Sequence, residues 1–289
     1  MSDFKGSIHF FDIKSGLPGQ STILNPAGRH LTNLGNHQSW SPNTLKVRMT
    51  LNYKQIPYTE SFICYPDIAD FCHRHGIPDD KSFPRPTLPA ILHYDADGKL
   101  VKAMGNSIDI ARYLDEIVPE RPVLAKIEGR WGNTAEAYHA AFSAVLRLPW
   151  NAGWVITMPT IPGILDERGS KWFIEDRRSM DDSGKGRSPE DWASENPEDD
   201  WKAFIPQLKT LAKTLEHTTA EAPYMLGQNP CYSDFALAGY ITWYKRGSEE
   251  VYERMIKETG GEQGALARHY KACEKWVLGE GKVVEYKPE

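Results

Sequence analysis

Cysteine is scarce in this chain, which has four of them among 289 residues. They are too few and too widely spaced to form a disulfide framework in a chain of this size. No apolar stretch approaches the ~20 residues of a membrane-spanning helix, and the first residues lack the apolar core of a signal peptide. The sequence therefore predicts a cytoplasmic protein with free thiols. The cysteines are Cys64, Cys72, Cys231 and Cys273.

An excess of basic charge is also missing, since the formal net charge at pH 7 is −5. That balance gives no reason to expect nucleic acid or an anionic membrane as a partner. A group of metal-ligating residue types occurs at 64–75, where His73 and His75 follow two cysteines. These histidines are two residues apart on a predicted helix, so they point to different faces. We therefore expect no metal, no nucleic acid and no membrane.

The first part of the chain alternates between strand and helix patterns. A strand at 7–13 is followed by a long segment at 14–38 that is rich in Gly, Pro, Asn and Ser and predicts a loop. Ser41-Pro42 then begins a helix, because serine is a preferred N-cap and proline fits the first helical turn. The later segments are a strand at 58–64, a helix at 66–75, a hairpin of 90–93 with 99–104, and a helix from Asn106-Ser107. The order β-α-β-α-β-β-α predicts one four-stranded sheet, parallel at its start and antiparallel at its end.

Beyond residue 128 the periodic segments are all helical. They cover 135–148, 201–216, 233–244, 249–257 and 265–277. An acidic segment at 179–200, rich in Ser and Gly, is expected to run over the surface. The change of pattern after Pro119 and Pro122 predicts an α/β domain at 1–122 and an all-α domain at 123–289.

Three motifs follow one another within this frame. Ser41-Pro42 opens the first helix, Pro-Thr-Leu-Pro-Ala-Ile at 86–91 leads into the hairpin, and Asn106-Ser107 opens the next helix. In that order they resemble the cytosolic glutathione transferases. The resemblance implies a thioredoxin-like first domain, a helical second domain and glutathione as cosubstrate.

The nearest subgroup is indicated by two further stretches. Ser-Trp-Ser-Pro-Asn-Thr-Leu-Lys-Val-Arg at 39–48, followed by Cys-Tyr-Pro-Asp-Ile at 64–68, looks closest to fungal transferases related to bacterial β-etherases. The resemblance covers nearly the whole chain. It is weakest at 14–38, which looks like an insertion, and at 179–200.

The resemblance implies that Leu88-Pro89 is a backbone dock for glutathione. In the family this proline follows a cis peptide bond, and the backbone before it pairs with the cysteinyl part of glutathione like an added strand. Ser107 would hold the α-carboxylate of the γ-glutamyl group with its hydroxyl and nearby N–H groups. The residue before this serine is usually Glu or Asp, which pairs with the ammonium group of glutathione. Asn106 is neutral, so that ion pair is missing here.

The resemblance also implies a thiol-activating residue at the start of the first helix. A hydroxyl among unpaired N–H groups at the positive end of the helix dipole stabilises a thiolate and lowers the thiol pKa from ~8.5 towards neutrality. Ser41 is the first choice, Ser39 is the alternative if the loop curls differently, and Asn43 would add an amide. A plain helix cap explains Ser41 equally well. No cysteine lies at this helix start, which argues against an enzyme of thiol–disulfide exchange.

The candidates for the glycyl end of glutathione and for the acceptor pocket are individual residues that belong to no motif. The glycyl carboxylate of glutathione needs a basic partner, although any one lysine or arginine is more often a solvated surface charge. The residues near the expected position are Lys54, Lys81 and Arg85. An aromatic acceptor would need an apolar pocket, although most tryptophans at helical spacing belong to a core. The residues nominated for it are Trp150, Trp154 and Trp172.

A late capping motif lies at Cys231-Tyr232-Ser233-Asp234. The family has Ser or Thr followed three residues later by Asp, which nucleates a core helix. Cys231 replaces the hydroxyl and caps more weakly, so Cys231→Ser is expected to stabilise the fold slightly.

The function implied by the resemblance is attack of the glutathione thiolate on an electrophile in a cleft between the domains. Conjugation to an aromatic electrophile, as in xenobiotic detoxification, is its conservative form, and cleavage of β-aryl ethers or reduction of peroxides are the other forms. A homodimer is expected from the family alone. The alternative is a non-catalytic protein of the same fold that binds hydrophobic aromatics or a protein partner. A binder would show affinity for glutathione without turnover.

Overall fold

One mixed sheet organises the N-terminal part of the molecule. The computed structural model describes residues 4–17, 39–79, 85–124, 134–180, 185–277 and 281–287. The strands are β1 (Ser7–Ile13), β2 (Tyr58–Ile63), β3 (Ala90–Tyr94), β4 (Leu100–Gly105) and β5 (Lys282–Val283). They are arranged in the order β4-β3-β1-β2-β5. β1 runs parallel to β2 and β3 runs antiparallel to β4, as the sequence predicted, and β1 also pairs antiparallel with β3.

The prediction of a four-stranded sheet is wrong by one strand. β5 comes from the C-terminal end of the chain and pairs in parallel with β2. The Val284 N–H donates to the Glu60 carbonyl at 2.7 Å, and the Ser61 hydroxyl donates to the Val284 carbonyl at 2.7 Å. A two-residue strand is too short to have a recognisable pattern, so no sequence signal predicted it.

Helices cover both faces of this sheet. The helices of this part are α1 (Pro42–Lys54), α2 (Ile68–Arg74), which follows a 3₁₀ turn at Tyr65–Asp67, and α3 (Ser107–Ile117). Alternate residues of β1 point to opposite faces. Ile8 and Phe10 lie in one core with residues of α1 and α3, whereas Phe11 and Ile13 lie in the other core with residues of α2. This α/β arrangement is the predicted thioredoxin-like fold.

The C-terminal part is helical, as predicted. Its helices are α4 (Thr134–Thr157), α5 (Ile161–Ile164), α6 (Glu167–Ser179), α7 (Pro197–Lys213), α8 (Tyr232–Gly247), α9 (Glu249–Glu258) and α10 (Ala265–Val277). The connecting 3₁₀ turns are Met158–Thr160, Pro189–Trp192 and Gly261–Gln263. Within the described ranges, no helix is both long and apolar enough to span a membrane.

Helix α8 fixes the position of α1 relative to the helical part. α8 is buried from Tyr232 to Tyr244. At Gly239 a Cβ atom would lie 2.9 Å from the carbonyl oxygen of Pro42, so only glycine allows the two backbones to approach this closely. The contact holds the first turn of α1, which follows Ser41, against the helical part.

The acidic segment at 179–200 differs in part from the expected surface loop. Helix α7 begins at Pro197, within that segment. Ser188 is buried, and the ring of Trp192 stacks on Trp154 with centroids 6.3 Å apart. Most of the predicted insertion at 14–38 lies outside the described residues.

Candidate active site

A cavity of about 740 Å³ is lined by residues of both the sheet and the helical part. Nine of the residues nominated from the sequence line it: Ser41, Asn43, Arg85, Leu88, Pro89, Asn106, Ser107, Trp154 and Trp172. Cavities of this size are typical of small-molecule sites. The fold therefore brings the three sequence motifs to one place.

Ser41 is the N-cap of α1, at the edge of this cavity. Its side-chain oxygen accepts a hydrogen bond from the Asn43 N–H at 3.4 Å, and its carbonyl accepts from the Leu45 N–H at 3.0 Å. The hydroxyl keeps its own proton for donation, because a serine oxygen accepts and donates at the same time. The positive end of the α1 dipole lies at this point. The Asn43 side chain accepts from Lys46 Nζ at 2.8 Å.

Ser39 has a different environment. Its hydroxyl donates to Asp12 Oδ2 at 2.5 Å, and Ser39 does not line the cavity. Asp12 is fully buried and also lies 3.4 Å from Arg48 Nη2, which forms a second ion pair with Glu60. Burial raises the pKa of Asp12, and Arg48 and Ser39 partly offset that rise. The Ser39 proton is therefore directed into the core and away from the cavity.

Leu88-Pro89 and the start of α3 form the opposite wall. The peptide bond between Leu88 and Pro89 is cis, as expected from the sequence. Asn106 caps α3 with its side-chain oxygen, which accepts from the Ile108 N–H at 3.2 Å, and its φ of 66° is in the left-handed region. A positive φ is uncommon for residues other than glycine, and asparagine is one of the residues that tolerate it best. Ser107 is the first residue of α3, so an anion bound there meets free backbone N–H groups.

Tyr232 was missed by the sequence analysis as a site residue. It is the first residue of α8, it lines the cavity, and it is 1% exposed. Its hydroxyl has no hydrogen-bond partner of normal geometry among the described residues. Burial raises the pKa of the Tyr232 phenol, and the nearby Ser107 side chain partly offsets that rise. The capping motif marks this position in the sequence, but a phenol next to α3 is visible only in three dimensions.

A cationic wall lies on α6, beside Arg85. Arg85 and Arg177 both form ion pairs with Asp176, whose side chain is 6% exposed. The Arg177 guanidinium also lies 4.4 Å from the ring centroid of Phe173. Burial lowers the pKa of Arg177. All three charged side chains line the cavity, so two arginines share one carboxylate there. No motif in the sequence marks Asp176 or Arg177.

The nomination of Lys54 for the glycyl carboxylate is wrong. Its ammonium is fully buried and lies 2.8 Å from Asp115 Oδ1, and it also donates to the carbonyls of Glu120 and Arg121 at 3.3 and 3.4 Å. Asp115 accepts from the Leu124 N–H at 2.7 Å as well. Lys54 therefore joins α1 to α3 and the segment that follows it, and it does not line the cavity. Lys81, the other nominated lysine, lies outside the described residues.

The nominated tryptophans occupy two different surroundings. Trp172 stacks on Tyr65, with centroids 5.1 Å apart and planes 9° apart, and both rings line the large cavity. Trp150 stacks on Trp243 at 4.8 Å and lines a smaller neighbouring cavity instead. Trp154 lines the large cavity and lies 5.8 Å from Trp150.

The cysteines do not take part in this site. Burial raises the pKa of the Cys64 and Cys72 thiols to about 12, and neither residue lines the cavity. Cys231 and Cys273 are buried in the helical part. Within the described ranges no three His, Cys, Asp or Glu side chains are grouped so as to hold a metal ion.

Comparison with known proteins gives the same assignment for most of the chain. The family descriptions "Glutathione S-transferase, N-terminal domain" and "Glutathione S-transferase, C-terminal domain" match residues 40–117 and 135–276. The glutathione S-transferase-like protein ustS of Aspergillus flavus is 31% identical, over 96% of this chain and 94% of its own length. The chain belongs to the glutathione S-transferase family.

Solved structures agree with this assignment. A glutathione S-transferase of Ceriporiopsis subvermispora, crystallised in complex with glutathione, is 28% identical and superposes with a TM-score of 0.71, covering 94% of this chain and 98% of its own. A second transferase of that organism, also in complex with glutathione, is 25% identical with a TM-score of 0.71, covering 96% and 99%.

Proposed function

We propose that this chain transfers glutathione to a hydrophobic, aromatic electrophile and that Ser41 stabilises the thiolate. One observation carries the proposal. The hydroxyl of Ser41, the cis Leu88-Pro89 segment and the Ser107 start of α3 line one cavity. Family membership and the glutathione complexes of the two Ceriporiopsis transferases support glutathione as the cosubstrate.

The thiol of glutathione is activated at the start of α1. The Ser41 hydroxyl accepts from Asn43, which leaves its proton free to donate to a thiolate. The α1 dipole adds a positive potential at the same place, and both effects favour the charged form of the thiol over the neutral form. Ser39 is not available for this role, because its proton is held by Asp12.

The two carboxylates of glutathione bind at opposite ends of the cavity. The γ-glutamyl carboxylate lies at the start of α3, where Ser107 and the buried hydroxyl of Tyr232 donate to it together with backbone N–H groups. The glycyl carboxylate lies beside Arg85 and Arg177. These two cations share one carboxylate, Asp176, so a second anion neutralises the remaining positive charge. The tripeptide backbone between them pairs with Leu88.

The reaction is a displacement at an electrophilic carbon. The thiolate sulfur forms a new bond to that carbon, and the leaving group departs with the electron pair of the bond that breaks. Halide and aryloxide are both suitable leaving groups, so conjugation and aryl ether cleavage differ only in the acceptor. The rings of Tyr65, Trp154 and Trp172 supply an apolar wall for an aromatic acceptor.

Steady-state kinetics test the proposal. The native protein is assayed with glutathione and a panel of aryl halides, aryl ethers and hydroperoxides, and glutathione binding is measured separately by calorimetry. We expect turnover of at least one aryl electrophile and a loss of about 10²-fold in kcat for Ser41→Ala, the order of effect of removing one stabilising donor from a developing charge. Ser39→Ala is the matched control. Glutathione binding without any turnover would instead identify a non-catalytic binding protein.

A further inference from the structure

A smaller cavity of about 260 Å³ adjoins the large one. The two cavities share Asn43, Lys46, His139, Ser143 and Arg147. The rest of the lining of the smaller cavity is apolar or aromatic, and it includes Trp150 and Tyr240. The shared residues therefore form a polar boundary between the two spaces, with an aromatic surface beyond it.

The charges on this boundary are all positive. Lys46 and Arg147 line both cavities, and no carboxylate lines the smaller one. Within the described ranges, neither residue pairs with an acidic side chain. Lys46 donates to the neutral amide oxygen of Asn43 at 2.8 Å. Desolvation lowers the pKa of Lys46 to about 8, so the ammonium remains protonated at pH 7 without an anion to compensate it.

His139 does not add to this charge. Its Nδ1 lies 3.1 Å from the Ser233 hydroxyl and its Nε2 lies 3.3 Å from the Ser143 hydroxyl. Burial lowers the pKa of His139 to about 4, and the charge of Lys46 contributes to that shift. The imidazole that faces the cavity is therefore neutral. The positive potential at this point comes from Lys46 and Arg147.

The two carboxylates of glutathione do not use this positive charge. In the proposed function, its carboxylates take the start of α3 and the wall of Arg85 and Arg177. Four cationic side chains and one carboxylate, Asp176, line the large cavity. Glutathione has two carboxylates and one ammonium group, and both of its carboxylates are accounted for at other places. The half-buried Lys46 and the exposed Arg147 are left without a carboxylate partner.

We propose that the small cavity receives the anionic end of the acceptor and that the acceptor is an aromatic carboxylic acid. Its ring lies against Trp150 and Tyr240, and its carboxylate lies between Lys46 and Arg147. The electrophilic carbon then lies towards Ser41, which belongs to the larger cavity next to the shared boundary. This inference rests on the proposed function and names the substrate class of the same site.

Binding without turnover tests the inference directly. 4-Nitrobenzoate and 4-nitrobenzamide have nearly the same shape and differ in charge, and neither reacts with glutathione. Calorimetric titrations are performed on the native protein with saturating glutathione present. We expect the benzoate to bind at least ~10-fold more tightly, the lower limit for a hydrogen bond between charged groups. Equal binding of the two, or tighter binding of the amide, would overturn the inference.

The glutathione dependence locates the ligand. If the benzoate is displaced by glutathione, it occupies a glutathione carboxylate site, and the inference is wrong. If the preference for the benzoate persists with glutathione bound, the anion lies elsewhere in the cleft, as proposed. Because these titrations need no turnover, an inactive protein that still prefers the benzoate would refute the proposed function and leave the anion site intact. An active protein without this preference would support the proposed function and refute the anion site.

Two single variants assign the preference to the named residues. Lys46→Met and Arg147→Met are each expected to lower the ratio of the two affinities towards one, and Lys213→Met, which removes an exposed lysine at the end of α7, is the matched control. Arg147 lies on a different helix from Lys46, so it provides an independent test if Lys46→Met does not fold. If Lys46→Met and Arg147→Met both fold and both retain the native ratio of the two affinities, the inference is contradicted.

Discussion

Tyr232 offers the sharpest test of how glutathione is held, because its hydroxyl is buried and has no hydrogen-bond partner of normal geometry among the described residues. Tyr232→Phe removes this hydroxyl and keeps the ring. If the hydroxyl donates to the γ-glutamyl carboxylate, its removal costs about 1.5–3 kcal/mol of binding, the range for hydrogen bonds to charged groups. That loss corresponds to an increase of about 10–100-fold in the Kd of glutathione.

The same substitution has the opposite effect on the free protein. A buried hydroxyl without a partner costs stability, so its removal leaves the Tm unchanged or raises it. Tyr244→Phe is the matched control, because its hydroxyl lies 2.7 Å from that of Tyr240, is fully buried and does not line the cavity. We expect this control to lose about 1–2 kcal/mol of stability and to bind glutathione with native affinity.

Two measurements on each variant are sufficient. Isothermal titration calorimetry gives the Kd of glutathione, and differential scanning calorimetry without ligand gives the Tm. Native affinity in Tyr232→Phe would refute the assigned role of the hydroxyl. A fall in Tm as large as that of Tyr244→Phe would show that the Tyr232 hydroxyl has a structural partner after all.

Three further predictions concern other parts of the molecule. Lys54→Met leaves the buried Asp115 without its ion-pair partner and should lower the free energy of unfolding, measured by urea denaturation, by about 3–5 kcal/mol. The glutathione affinity of the folded fraction should be unchanged, which checks that Lys54 is not a ligand. The Lys46 ammonium, whose pKa is lowered to about 8, loses its proton as the pH rises through that value. Nitrobenzoate affinity should therefore fall more between pH 7 and 9 in the native protein than in Lys46→Met, and equal pH profiles of the two proteins would contradict this. Cys231→Ser adds a capping hydroxyl at a position where Asp234 already accepts from the Cys231 N–H at 2.7 Å. A Tm that rises by about a degree would support the prediction that the cysteine caps weakly, and a lower Tm would refute it.

Local motifs were sufficient to predict the frame of the site. Ser41-Pro42, Leu88-Pro89 and Asn106-Ser107 each depend on backbone conformation within a few residues, so the sequence marks them directly. The structure places all three motifs in one cavity. The parallel start and the antiparallel finish of the sheet were also predictable, because consecutive strand and helix patterns restrict the possible connections.

Residues that act through tertiary contacts were not predictable. Arg177 and Tyr232 reach the cavity from α6 and α8, and nothing in their sequence surroundings distinguishes them from ordinary helix residues. Lys54 was misassigned because its partner, Asp115, lies 61 residues away in the chain. The hydrogen bond from Ser39 to Asp12, which gives Ser39 and Ser41 different surroundings, could not be read from the sequence.

The central claim is that Ser41 and the start of α1 stabilise the glutathione thiolate. The most direct test is a titration of the bound thiol, followed by the ultraviolet absorbance of the thiolate, in the native protein and in Ser41→Ala. The account predicts a thiol pKa in the native complex at least about one unit below the ordinary value for a thiol, ~8.5. It predicts a return most of the way to that value in Ser41→Ala and little change in Ser39→Ala. A bound thiol with an ordinary pKa in the native protein, or a low pKa that survives Ser41→Ala, would contradict it.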